Sequence, residues 1–151
     1  MQPFDSRQGL EEKATVMKKN LLLLLLAFLS FSCFDKDQEP AVLPSGTYVG
    51  QFQRSSPTAD YDVANVTLVL DGSSFSGSSD HVKYPAIGQG TYQMEGQEIV
   101  FKDNSFWTAE FDWTLILDGA YVVSTQNQEV TFIRKRGDIT DVYRLRLQQP
   151  E

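Results

Sequence analysis

Val66-Thr67-Leu68-Val69-Leu70-Asp71-Gly72 decides the class of this fold. Val66, Leu68 and Leu70 fall at every second position, Thr67 and Val69 lie between them, and Asp71-Gly72 supplies a turn that ends the run. Successive side chains of a strand point to opposite faces, so a period of two marks a strand with one face turned to a core. The same pattern recurs outward in both directions. Upstream, Tyr48, Gly50 and Phe52 alternate with Val49, Gln51 and Gln53. Downstream, Glu95-Gly96 separates Thr91–Met94 from Glu98–Phe101. Ala109, Phe111, Trp113, Leu115 and Leu117 share one face against Glu110, Asp112 and Thr114, and Asp118-Gly119 reads as a two-residue hairpin turn into Tyr121, Val123 and Thr125. Val130–Arg134 and Val142–Leu147, with Arg136-Gly137-Asp138 turning between them, complete the set.

Beyond Cys33 no window keeps an i, i+3, i+4 pattern for more than a turn. Evenly spaced strands joined by short turns form an antiparallel meander. Eight or nine such strands must close or sandwich to protect their edges. The expected fold is therefore all-β, an up-and-down meander closing into a small barrel over residues 45–148. Ser55–Asp60 reads as the chief loop and Ser78–Pro85 as a second irregular stretch. Neither an internal repeat nor a second domain is visible.

Composition narrows the function. The chain has 151 residues and a formal net charge of −7, and its lysines and arginines beyond Cys33 are outnumbered by acids. That balance argues against nucleic acid, whose phosphates require a dense cationic footprint, and against simple electrostatic docking on anionic lipid. One cysteine permits no intramolecular disulfide and no Cys/His zinc set.

The position of that cysteine is informative. Lys18 and Lys19 precede the apolar run from Leu21 to Leu29, and Ser30-Phe31-Ser32-Cys33 follows. A basic start, a short apolar core and small residues before a cut are the layout of an export signal, and the run is about half the length of a spanning helix. Ser32-Cys33 resembles the lipobox of bacterial lipoproteins, with Phe31 bulkier than usual and Ser30 in place of the common leucine. The resemblance implies that Cys33 becomes an acylated N-terminus, and two or more chains give stable attachment. Met17 is a more natural initiator than Met1, because Glu11 and Glu12 are out of place in a basic leader. Residues 1–16 thus read as a gene-start artefact or a disordered extension, 17–32 as the signal peptide and 33–44 as a tether. The run Asp35-Lys36-Asp37-Gln38-Glu39-Pro40 resembles the acidic tether of lipoproteins from the Bacteroidetes group, which implies the outer membrane, on its periplasmic face or at the cell surface.

The domain itself resembles the lipocalin-like (calycin) β-barrels. Gly46-Thr47-Tyr48 stands where that group has Gly-x-Trp on its first strand, and Arg144 or Arg146 on the last strand would be the arginine that packs across the ring. The domain is shorter than a full lipocalin and has no C-terminal helical pattern, which argues against a roomy cavity.

Catalytic chemistry finds little support. Glu110 and Asp112 would lie about 7 Å apart on one strand face. A hydrolase could use such a pair, but alternation turns them toward water opposite Phe111 and Trp113. His81 is the only histidine, so it completes neither a triad nor a histidine metal cluster. Ser73–Ser79 contains no nucleophile elbow, and neither Asp-Gly pair continues as a calcium loop. No enzyme, cofactor or metal is expected.

The aromatic residues carry what functional colour there is. Inward rings would line an apolar pocket or fill the barrel, and filling is favoured because eight strands leave an interior just wide enough for side chains or one small ligand. Trp107, in Asn104-Ser105-Phe106-Trp107, stands at the mouth of a strand, where a ring can meet a ligand or partner. Two readings result. One is a lipoprotein, held in the membrane through Cys33, that binds a small apolar or amphipathic ligand with Tyr48, Trp107, Phe111 and Trp113. The other is a non-catalytic lipoprotein with a solid barrel that docks another envelope protein.

Overall fold

Eight antiparallel strands close on themselves in sequence order. They are β1 (Gly46–Ser55), β2 (Val63–Asp71), β3 (Ser74–Ser79), β4 (Gln89–Glu95), β5 (Glu98–Asp103), β6 (Gly119–Gln126), β7 (Glu129–Arg136) and β8 (Ile139–Leu147). The computed structural model of the chain describes residues 42–149. The leader, Cys33 and most of the tether lie outside the described residues.

Closure follows from β1 pairing on both sides. Tyr48 is opposite Leu68 of β2 and Leu147 of β8, and Phe52 is opposite Ala64 and Tyr143. With no free edge, the sheet offers no template for strand addition. Curvature at the seam depends on Gly50, where a Cβ would sit 1.9 Å from the Arg144 carbonyl oxygen. Gly90 is similar, 2.0 Å from the Lys102 carbonyl oxygen, so a side chain at either point would push two strands apart.

The two ends of the barrel differ. At one end β2–β3, β4–β5 and β6–β7 are joined by two-residue turns and the chain enters β1. Asn127 and Gln128 in the last of these turns have φ of 50° and 66°, as a hairpin matched to strand twist requires. The opposite end carries the connections 56–62, 80–88 and 104–118. We call these the hairpin end and the loop end.

Side chains fill the interior. Phe101 meets Phe75, Tyr121 and Phe132 with ring centres 5.1, 5.9 and 5.8 Å apart, and Tyr143 meets Phe52 at 4.7 Å and Tyr121 at 5.8 Å. Most of these contacts are edge-to-face, the arrangement that ring quadrupoles favour. Leu68, Leu70, Ile99 and Leu145 pack around them, each almost wholly buried. Buried Leu43 closes the hairpin end, while Leu115 and Leu117 close the loop end.

Three expectations change. The alternating stretch 109–117 is not a strand: β5 pairs directly with β6 through Ile99–Tyr121, and 104–118 crosses the barrel end as a loop holding a 3-10 turn at Trp113–Leu115. Asp112 caps that turn, accepting from the Thr114 backbone N–H at 2.9 Å, and so competes locally with extended structure. Asp118-Gly119 is accordingly no hairpin: Gly119 opens β6, and the Asp118 carboxylate accepts from the Asp103 N–H at 2.9 Å. Arg144 and Arg146 are exposed on the outer face, so neither crosses the Tyr48 ring. The arginine inside the barrel is Arg54.

Candidate binding face

Arg54 occupies the inward parity of β1 after Tyr48 and Phe52, and its side chain is wholly buried. A guanidinium there is tolerable only if its donors are satisfied. Its Nε and Nη2 reach the two Asp141 oxygens at 2.6 and 2.9 Å. Nη1 donates to Asp112 at 3.0 Å and to the Thr114 hydroxyl at 2.9 Å, and Nη2 also donates to the Thr114 carbonyl at 2.9 Å. Asp141, equally buried, further accepts from Arg134 at 3.2 Å and Arg136 at 3.1 Å. Arg134 also binds the carbonyls of Asp118 and Ile116, and Arg136 that of Thr114. Three arginines thus grip the peptide oxygens of 114–118 and fix this loop across the barrel end.

Burial would raise the Asp112 carboxyl, but the Thr114 hydroxyl and N–H, with Arg54 and Arg136, bring it below the usual carboxylate range. Burial pushes the Tyr121 and Tyr143 phenols well above theirs. The loop is also stitched to its neighbour, since Ala86 N–H donates to the Leu115 carbonyl and Leu117 N–H to the Ala86 carbonyl, both at 3.0 Å.

Above this floor lies a row of aromatic rings. Trp107 and Phe111 have centres 5.6 Å apart, and Phe111 and Trp113 are stacked at 6.3 Å with planes 24° apart. The Trp107 indole N–H donates to Asp103 at 2.6 Å. Lys83, from the 80–88 connection, places its ammonium 4.8 Å from the Phe111 ring centre while donating to the Thr108 hydroxyl at 2.7 Å. Trp113 is 56 % exposed, and Phe106 and Val82 are 95 % and 92 % exposed. All three stand on the long connections at the loop end.

Trp107, Phe111 and Trp113 therefore come together at the loop end. Tyr48 does not join them: it lies in the interior near the hairpin end, and its hydroxyl donates to the Pro44 carbonyl at 2.7 Å. Glu110 is exposed in the loop, whereas Asp112 turns inward to Arg54. His81 pairs with Asp80 at 2.9 Å on an exposed loop. Sequence reasoning missed Arg54, Asp141, Arg134, Arg136 and Lys83. Parity carried a signal for the first two, because Arg54 continues the inward series of Tyr48 and Phe52, and Asp141 that of Tyr143 and Leu145. Nothing local marked Lys83.

Among the described residues, open grooves of about 500 Å³ run over strand surfaces along β2–β3–β4 and along β1–β2–β3. Among the described residues no group of three or more His, Cys, Asp or Glu side chains is placed to hold a metal, and no helix is long and apolar enough to cross a membrane.

No family model, curated protein or solved structure matches the chain.

Proposed function

We propose that this chain is a non-catalytic lipoprotein of the bacterial envelope, anchored through Cys33, whose solid barrel presents its loop end to a binding partner. One observation carries the reading: the lumen is filled by its own rings, while large apolar side chains stand open at the loop end. A filled lumen leaves a small ligand no interior volume, which favours a docking surface over a lipocalin-type pocket. The chain enters β1 at the hairpin end, opposite the aromatic row. Exposed Asp60, Asp62, Asp80 and Glu110 lie on the loop-end connections, a charge pattern that disfavours nucleic acid and anionic lipid.

Native mass spectrometry of the protein gently extracted from its own membranes tests both halves. The reading expects a chain that starts at Cys33, carries acyl chains and holds no apolar adduct that leaves on denaturation. An unmodified Cys33 would remove the anchor. A stoichiometric apolar adduct would restore the ligand-carrier reading. A Cys33→Ser variant is expected to leave the membrane fraction with its fold intact.

A further inference from the structure

We infer that the Trp107–Phe111–Trp113 row is a site for quaternary alkylammonium cations, in which Lys83 is the resident stand-in. The inference rests on the loop end being the binding face, and it adds the chemistry of what binds there. The faces of aromatic rings carry the negative lobe of the quadrupole and attract cations within about 6 Å, tryptophan most strongly. One cation is already in place, because the Lys83 ammonium stands 4.8 Å from the centre of Phe111. Lys83 itself has a φ of 56°, in the left-handed region that non-glycine residues seldom occupy.

Trp113 continues the row beyond Phe111 and is 56 % exposed, so a tryptophan stands open beside a ring that already holds a cation. One acidic group adjoins the rings. Asp103 accepts from the Trp107 indole, and Glu110, next to Phe111 in the chain, is exposed. A quaternary ammonium is weakly hydrated and donates no hydrogen bond, so it exchanges water for ring faces more readily than a lysine does.

Both tryptophans of the chain lie in the row, so tryptophan emission reports on the site directly. Full-length protein in non-ionic detergent would be titrated with choline, and in parallel with 3,3-dimethylbutanol, its neutral isostere. The site expects a saturable change with choline and none with the alcohol. Lys83→Ala, which vacates the Phe111 face, should bind choline roughly five- to tenfold more tightly, and Trp113→Ala roughly tenfold more weakly. Circular dichroism would verify that both variants fold.

Glycerophosphocholine separates the sources. Tighter binding of choline assigns a free cation, the reverse assigns a lipid headgroup, and either supports the site. Equal response to the alcohol would overturn the cation chemistry while leaving the loop end as an apolar docking face. Absence of any response in Lys83→Ala would also overturn it, and the docking reading would then be judged by cross-linking.

Discussion

Arg54 and Asp141 are the residues on which the loop end is built. Each is about 1 % exposed, and each is the other's principal partner. Removing one member of such a pair leaves a buried charge uncompensated, so Arg54→Met is expected to cost about 3–5 kcal/mol in urea unfolding. A cost below about 1 kcal/mol would mean that Arg134 and Arg136 suffice for Asp141. The tyrosines set a second expectation at this scale. Burial holds the Tyr121 and Tyr143 phenols protonated beyond their ordinary value of 10.0. Above that pH the unfolded chain loses protons that the folded chain keeps, so the folded state binds more and its stability falls as pH rises. Alkaline unfolding should therefore begin above pH 10.0, with the tyrosinate absorbance of these rings appearing together with unfolding. Tyr143→Phe should flatten that decline. Such partners are only half legible in sequence: parity turns Arg54 inward, but the acid it meets lies 87 positions away on β8.

Among the elements, the connection 104–118 departs most from its sequence reading. Its alternation is as regular as that of β2, yet no strand edge is left for it once β5 has paired with β6. The apolar positions still go inward, because Leu115 and Leu117 plug the barrel, but Phe111 and Trp113 do not. Burial was legible for two of the five positions, Leu115 and Leu117, and strand geometry for none, since pairing is decided by partners distant in sequence. Asp112→Ala removes the cap of the 3-10 turn and one partner of Arg54, and is expected to cost about 1 kcal/mol. Hydrogen exchange should then quicken at Leu115 and Ile116, whose N–H groups close that turn, while β1 and β8 stay protected. Unchanged exchange there would show that the three arginines hold the loop without its cap. Leu117→Ala, which opens the plug, should cost about 2–4 kcal/mol.

For the whole molecule, the expected all-β meander and its closure hold, because period-two runs and turn residues are local signals. Strand number and the turns at Asp71-Gly72 and Glu95-Gly96 agree with the structure. The division of labour between the two ends was not legible, since it arises only when the long connections gather on one side of a closed barrel. That division is the core of the functional proposal: a filled body, a hairpin end that receives the chain, and a loop end with open rings. Phe106→Ser should leave stability within about 0.5 kcal/mol, as expected of a surface side chain that touches no core, and yet impair partner binding. The most direct test is site-specific photocross-linking in intact cells, with the photoreactive residue at position 106 and, as control, at exposed Ser124 on the barrel wall. The loop-end proposal expects a discrete adduct from position 106 and none from position 124. Adducts from 124 alone, or equally from both, would contradict it.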